Sequence, residues 1–150
     1  MGIGGQLVTI VVDVANVMGS RPDGWWRDRA GAAVRLHDQI VRLAASGRAI
    51  LPDDADESER PGFVLVLEGA ANAAVARMPP TEPGAPGPVR PGEVRVVQAR
   101  GSGDDTIVAV ARELPGRRVV VTADRELRAR SAAVGAEILG PGWLLGLLRD

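Results

Sequence analysis

The sequence predicts an α/β protein: a three-layer α/β/α sandwich in which helices cover both faces of a mainly parallel central sheet. Two observations lead to this prediction. Short runs of apolar and β-branched residues show no polar alternation, which is typical of strands buried on both faces. These runs alternate with longer stretches whose apolar residues recur at helical spacing. With 150 residues, of which 45% are hydrophobic and 25% charged, we expect a single domain spanning 1–150.

The elements follow one another in this alternation. The first strand is expected at 6–12, where every residue after Gln6 is apolar or β-branched. A helix is expected over 25–47, because Leu36, Ile40 and Leu43 are spaced along one helical face and a glycine closes the stretch. The later elements are strands at 63–69, 93–99, 117–124 and 136–139, and helices at 101–114, 125–135 and 142–149.

Two segments are predicted to form loops. The stretch 51–62 is acidic and rich in turn formers, so we expect it on the surface. The Pro/Gly-rich segment at about 79–92 contains six prolines, which rule out a regular helix or a central strand there.

Composition excludes several kinds of site. The chain has no cysteine, so disulfides and thiolate metal sites are impossible, and its single histidine, His37, makes a Ser/His/Asp triad improbable. Any metal would be held by oxygen. The sequence shows neither a signal peptide nor a membrane-spanning stretch, so we expect no membrane association and a cytoplasmic location. The net charge of −1 gives no overall attraction to nucleic acid, although all 18 basic residues are arginines and a local basic patch remains possible.

Acidic residues stand where the predicted strands end. Asp13, Glu68 and Asp124 lie at the ends of the first, second and fourth strands, while Asp104 and Asp105 open the helix after the third. The carboxyl ends of parallel strands share one edge, so these carboxylates are expected to converge. Converging like charges raise each other's pKa unless a cation neutralises them. Oxygen donors favour Mg²⁺ or Mn²⁺, so we predict a metal site built from Asp13, Glu68, Asp104, Asp105 and Asp124.

Each acidic residue also has a local alternative role. Asp13 can be a turn or N-cap residue, Glu68 can cap a short helix that follows it, and Asp124 can cap the helix at 125–135. One of Asp104 and Asp105 is expected to cap its own helix, which leaves the other to project into the cleft. Convergence of the whole set favours the metal site over separate caps.

Polar and aromatic residues near the same edge are candidates for binding a substrate. Asn16, three residues after Asp13, is as consistent with a loop-capping amide as with a substrate contact. Of Trp25 and Trp26, one is expected in the core and the other exposed, where it could stack on a base. Most arginines are expected on solvated faces, but four of them, with Asn16, are candidates to hold a phosphodiester backbone: Arg21, Arg27, Arg100 and Arg125.

Three stretches, "VVDVANVMGS", "GSGDDTIVAVARE" and "VVVTADRELRARSAAVGAEILGPGWLL", resemble the PIN-like nuclease superfamily, in particular its bacterial NYN-domain branch. The resemblance implies a PIN-like, Rossmann-like fold and a metal-dependent ribonuclease with an acidic Mg²⁺ or Mn²⁺ cluster. Asp13, Asp104, Asp105 and Asp124 would be the metal-binding and catalytic acids, and Asn16 would orient the cluster or the substrate. Glu68 aligns with a less constant acidic position. Where the family frequently has D-G-x-N, this chain has "DVAN", with the same spacing.

Three functions are consistent with these features. The leading one is an endoribonuclease that hydrolyses RNA, either as a monomer or as a homo-oligomer. The second is a catalytically inactive RNA-binding or adaptor domain that keeps the fold. The third, hydrolysis of a small phosphorylated metabolite, fits less well, because Ala15 stands where an Asp-x-Asp nucleophile pair would need its second carboxylate.

Overall fold

The computed structural model describes residues 7–21, 24–46, 51, 60–78 and 88–149, and these residues contain one five-stranded sheet with helices on both faces. The strands are β1 (Val8–Asp13), β2 (Gly62–Leu67), β3 (Val94–Gln98), β4 (Arg117–Val121) and β5 (Glu137–Leu139). The α-helices are α1 (Val14–Gly19), α2 (Arg29–Ser46), α3 (Gly103–Glu113), α4 (Arg125–Ala133) and α5 (Pro141–Leu148), and two 3-10 helices span Trp25–Arg27 and Gly69–Arg77.

All strand pairs in this sheet are parallel, and the strand order is β3-β2-β1-β4-β5. The predicted α/β class and its parallel sheet are therefore confirmed. β1 lies at the centre, with Asp13 opposite Val66 of β2 and Val12 opposite Val121 of β4. The three strands consequently end side by side, and the residues that follow them share one edge, here called the carboxyl edge.

The core is divided into two layers by the sheet. On one face, Ile10 and Val12 pack with residues of α1, α2, α5 and the 3-10 helix Gly69–Arg77. On the other face, Val11 and Val120 pack with residues of α3 and α4, among them Ile107. Adjacent residues of β1 thus face opposite layers, which explains why the strand is apolar throughout.

The sequence prediction missed α1. The expected loop after the first strand is a six-residue helix, and Asp13 is the last residue of β1 rather than the residue after it. Asp13 is the N-cap of α1, and its Oδ1 accepts a hydrogen bond from the Asn16 backbone N–H at 3.3 Å. Burial of Val14 and Val17 in the core favours a helix over a surface turn.

The long helix begins later than predicted. Trp25–Arg27 form a 3-10 turn, and α2 begins at Arg29 because the Asp28 carboxylate accepts a hydrogen bond from the Gly31 N–H at 2.8 Å. The short helix considered after Glu68 is a 3-10 helix. Other ends differ from the predictions by one to three residues, as is usual for element boundaries.

The two predicted loops fall largely outside the described residues, at 52–59 and 79–87. The described end of the Pro/Gly-rich segment, 88–92, has no helix or strand, and its Val89 is buried. Within the described ranges, no helix is both long and apolar enough to cross a membrane.

The turn before β4 gives a test of this fold. Gly116 has a φ of +79°, and an added Cβ would lie 2.5 Å from the carbonyl oxygen of Leu7, which accepts the Arg117 N–H at 2.8 Å. We therefore expect Gly116→Ala to lower the free energy of unfolding by about 1–3 kcal/mol. Urea denaturation measures the change. Gly146→Ala, with open space around the Cβ on α5, is the control and should be neutral or stabilising. Equal effects of the two substitutions would contradict this account.

Candidate active site at the carboxyl edge of the sheet

Asp13 is the central carboxylate of the carboxyl edge. It is 8% exposed, and besides the Asn16 N–H it accepts a hydrogen bond on Oδ2 from the Thr122 hydroxyl at 2.9 Å. The pKa of Asp13 is raised to about 6, mainly by burial and also by the negative charges of Asp104 and Glu68, against the opposing effect of these two hydrogen bonds. Asp13 therefore titrates near neutrality.

Thr122 and Asn16 join the ends of β1 and β4. The buried Thr122 hydroxyl donates to Asp13 and accepts a hydrogen bond from the Asp124 N–H at 3.2 Å. The Asn16 side-chain oxygen accepts a hydrogen bond from the Ala123 N–H at 2.8 Å. Asn16 is therefore a loop-capping amide, one of the two roles that the sequence left open. A contact between Asn16 and substrate remains a proposal. The Asn16 side chain is half-exposed, and its amide N–H groups would be the donors in that contact.

Glu68 holds the beginning of α3. It directly follows β2, and its side chain does not cap the 3-10 helix that begins at the next residue. Its Oε2 instead accepts the hydrogen bond of the Gly103 N–H at 2.6 Å, from a residue 35 positions later in the chain. A carboxylate at a helix N-terminus interacts favourably with the N–H groups exposed there. Glu68 thus fixes the position of the helix that carries Asp104.

Neither aspartate of α3 is its N-cap, contrary to the sequence prediction. Ser102 is the N-cap, and its hydroxyl accepts a hydrogen bond from the Asp104 N–H at 3.2 Å. Burial raises the pKa of Asp104, the negative charges of Asp124 and Glu68 raise it further, and Arg130 opposes the shift. Asp104 is therefore part of the acidic group around Asp13.

Asp105 lies apart from that group. Its side chain is 72% exposed, and its Oδ1 accepts a hydrogen bond from Arg130 Nη2 at 2.8 Å. The predicted set of five carboxylates is therefore reduced to four that interact electrostatically, and Asp105 instead links α3 to α4.

Asp124 combines the two roles that the sequence left as alternatives. It is the N-cap of α4, where its Oδ1 accepts a hydrogen bond from the Leu127 N–H at 2.9 Å. It also acts on the pKa of Asp104, although it is exposed itself. The Asp124 side chain therefore caps α4 and also belongs to the acidic group.

The chemistry of this group suits a hard divalent cation, but its arrangement is not a ready-made ligand set. All four side chains offer only oxygen, and their mutual repulsion would be relieved by positive charge. Among the described residues, however, no three acidic or histidine side chains are placed so that together they could hold a metal ion. A cation at Asp13, Glu68, Asp104 and Asp124 would therefore need side-chain movement.

The predicted substrate-binding arginines are dispersed. Arg21 donates to Gln39 Oε1 of α2 at 2.7 Å, and Arg27 lies over the Trp26 ring at 5.7 Å from its centroid. Arg100, after β3, and Arg125, at the first turn of α4, are exposed and follow strands that end at the carboxyl edge.

Sequence reasoning missed Thr122 and Ser102 as site residues. Both act through hydrogen bonds to neighbours rather than through charge. The available signal for Thr122 was its place directly after the apolar run of β4. A threonine there is buried with the strand, and a buried hydroxyl requires a hydrogen-bond partner.

The pKa of Asp13 predicts how stability depends on pH. The folded state binds more protons than the unfolded state between pH about 4 and about 6, so the stability that protonated Asp13 contributes is complete below pH 4 and lost as the pH rises through 6. Ionised Asp13 costs the fold on the order of 3 kcal/mol. In metal-free buffer, Asp13→Asn should therefore exceed the natural chain in free energy of unfolding at pH 7.5, and the excess should shrink towards pH 4.5. Urea denaturation across this range measures it. Asp105→Asn is the exposed control, and an excess that is independent of pH would refute the prediction.

The contact between Glu68 and Gly103 predicts an unusual effect of alanine. An added Cβ on Gly103 would lie 2.9 Å from Glu68 Cδ and collide with Oε2, so Glu68 must move and its hydrogen bond is lost. We expect Gly103→Ala to lower the free energy of unfolding by about 1–3 kcal/mol, although alanine usually favours helix over glycine. Gly101→Ala, two residues away with open space, is the matched control. Chemical denaturation that shows the same change in both variants would exclude this role of Glu68.

The sequence matches no protein-family model and no curated protein. Among solved structures, the chain is similar to Rae1 (YacP) from Bacillus subtilis, in the crystal structure of its W164L mutant, with a TM-score of 0.58 and 17% sequence identity. The similarity covers 95% of this chain and 75% of that chain. At this identity, the likeness concerns the fold alone.

Proposed function

We propose that this chain is a metal-dependent ribonuclease that hydrolyses RNA phosphodiester bonds at the carboxyl edge of its sheet. One observation supports the proposal above the others. Carboxylates from four separate segments lie close enough that, besides burial, Asp104 and Glu68 raise the pKa of Asp13, while burial and then Asp124 and Glu68 raise that of Asp104. Clustered carboxylates whose pKa values are shifted by one another are typical of functional sites.

The acidic group costs stability in the free protein, which favours binding of a cation. Asp13 and Asp104 would be the principal ligands, because burial and then the neighbouring carboxylates raise the pKa of each, so that a cation would relieve the cost of their ionisation, with Glu68 and Asp124 beside them. Mg²⁺ and Mn²⁺ prefer such oxygen donors. When bound, the ion would supply Lewis-acid stabilisation of the phosphoryl oxygens.

The reaction itself is a displacement at phosphorus. The oxygen of a water molecule bonds to phosphorus, the bond from phosphorus to the leaving nucleotide oxygen breaks, and that oxygen takes up a proton. Asp104 is the carboxylate that we propose accepts the proton of the water, because it is less buried than Asp13 and, unlike Asp13 and Asp124, is not the N-cap of a helix. Arg100 and Arg125 would bind neighbouring phosphates. The choice of RNA as substrate rests on the resemblance to the PIN-like nucleases.

A second candidate function is a non-catalytic RNA-binding or adaptor domain. The observation that favours it is the arrangement of the acidic group, in which no three described side chains are placed to hold a metal. Asp13, Glu68 and Asp124 each also bond to a backbone N–H, as structural carboxylates do. Calorimetric titration with Mn²⁺ separates the two functions, because the adaptor binds no ion at millimolar concentration.

Adjacent aspartates of α3 provide the test of the nuclease. Asp104→Asn should lower the cleavage rate of labelled single-stranded RNA in Mn²⁺ by about 100-fold or more, because it removes the proposed base and a ligand. Asp105→Asn should stay within a few-fold of the natural chain, because Asp105 pairs with Arg130 outside the acidic group. Gel-resolved time courses measure both.

The same preparations supply the controls. Mn²⁺ should raise the melting temperature of the natural chain and of Asp105→Asn but much less that of Asp104→Asn, since an ion that binds the folded state stabilises it. Cleavage that persists in EDTA, or equal loss of activity in the two variants, would contradict the proposed site.

A further inference from the structure

Trp26 is an exposed aromatic side chain that lies outside the hydrophobic core. Its side chain is 55% exposed, more than any other large apolar side chain of the described residues. Its neighbour Trp25 packs against the core and meets the Trp26 ring edge-on, with ring centroids 6.3 Å apart and an interplanar angle of 89°. Trp25 therefore anchors the 3-10 turn, and Trp26 is held on the surface.

Two arginines accompany the tryptophans. The Arg27 guanidinium lies 5.7 Å from the centroid of the Trp26 ring, and the Arg29 guanidinium lies 5.4 Å from that of Trp25. These are cation–π distances, which hold each guanidinium near an indole. Asp28 between them is engaged as the cap of α2 through the Gly31 N–H. We call Trp26, Arg27 and Arg29 the Trp26 platform.

The direction of α2 places this platform on the carboxyl edge. Arg60, two residues before β2, donates to the carbonyl oxygens of Ala44 and Ala45, so α2 ends where β2 begins. The 18 residues of α2 extend about 27 Å, comparable to the height of the sheet. Its first residue, Arg29, therefore lies at the opposite edge, to which β1 delivers Asp13. The Trp25 ring also lies against Gly19, at the end of the short helix that Asp13 caps.

We propose that the Trp26 platform binds unpaired nucleotides of single-stranded RNA beside the acidic group, with a base stacked on the indole and guanidinium faces and a phosphate held by Arg27 and Arg29. Bases stack on aromatic rings and on arginine planes, and such stacking tolerates any base. The positive charge suits the phosphate backbone and offsets the repulsion of RNA by the carboxylates. Bases inside a duplex already stack on their neighbours and offer no free face, so the platform favours unpaired RNA. The inference rests on the proposed function for its choice of RNA.

The test measures binding without cleavage. The Asp13→Asn chain in EDTA is titrated with fluorescein-labelled 12-nucleotide RNAs, oligo-A and oligo-U, and with a duplex of the same length, followed by fluorescence anisotropy. In this background, Trp26→Ala should weaken binding of the single strands about 5- to 150-fold. Trp26→Phe, which keeps an aromatic face, should retain most of the affinity, and neither change should affect the duplex.

Two further variants complete the design. Val41→Ala removes the second large apolar side chain that is exposed among the described residues, which lies about 18 Å along α2 from Arg29, and it should leave the affinity unchanged. Arg27→Ala should weaken binding and reduce its salt dependence, since a phosphate contact releases counterions.

The outcomes separate this inference from the proposed function. If single strands bind through Trp26 but the natural chain cleaves no RNA, the platform stands and the nuclease proposal fails. The platform is refuted if Trp26→Ala and Val41→Ala bind single strands equally well, if Trp26→Phe is as weak as Trp26→Ala, or if the chain binds no RNA. A loss that is equal for duplex and single strand would also refute it, because it would indicate general electrostatic binding.

Discussion

The hydrogen bond from the Thr122 hydroxyl to the buried Asp13 carboxylate is the contact on which the carboxyl edge depends. It joins residues 109 positions apart, and the same hydroxyl accepts the Asp124 N–H, so one interaction positions an acid from β1 and another from the segment after β4. Asn16 repeats the connection one residue further through the Ala123 N–H. The parallel pairing of β1 with β4 makes these short bridges possible. The acidic group is therefore a consequence of the strand order as much as of the residues in it.

Capping a helix and binding a cation are compatible roles for these carboxylates. A carboxylate has two oxygens and about four lone-pair directions, and a cap uses only one of them. The bonds from Gly103 and Leu127 fix one oxygen each on Glu68 and Asp124, whereas both oxygens of Asp13 accept hydrogen bonds, from the Asn16 N–H and the Thr122 hydroxyl. Each of these carboxylates therefore keeps lone pairs that its hydrogen bonds do not use, although bringing the side chains to a common ion requires them to move.

How much of this was predictable follows from the range of the interactions. The apolar strands, their parallel arrangement and the convergence of Asp13 with Asp104 follow from local pattern together with the rule for strand ends. The hydrogen-bond partner of Glu68 could not be predicted in this way, because Gly103 is 35 residues away and "GSGDD" by itself suggests only a local cap. The separation of Asp105 from Asp104 was likewise unpredictable, because it depends on Arg130 of a helix whose position only the packed structure defines. The sequence pattern does not indicate which residues of different helices and strands form hydrogen bonds with one another.

The segment "DVAN" has the same spacing between its aspartate and asparagine as the D-G-x-N that is frequent in the superfamily the sequence resembles. A glycine after the aspartate suggests a turn with a positive φ, yet in this chain the segment enters α1, and no described residue other than glycine has a positive φ. Val14 is 1% exposed and fills the core beside β1, which a glycine could not do. Asn16 still reaches the Ala123 N–H from the first turn of the helix. The spacing between Asp13 and Asn16 is therefore the feature that the site needs, because one helical turn sets the distance between the two bridges to β4, whatever residues lie between them.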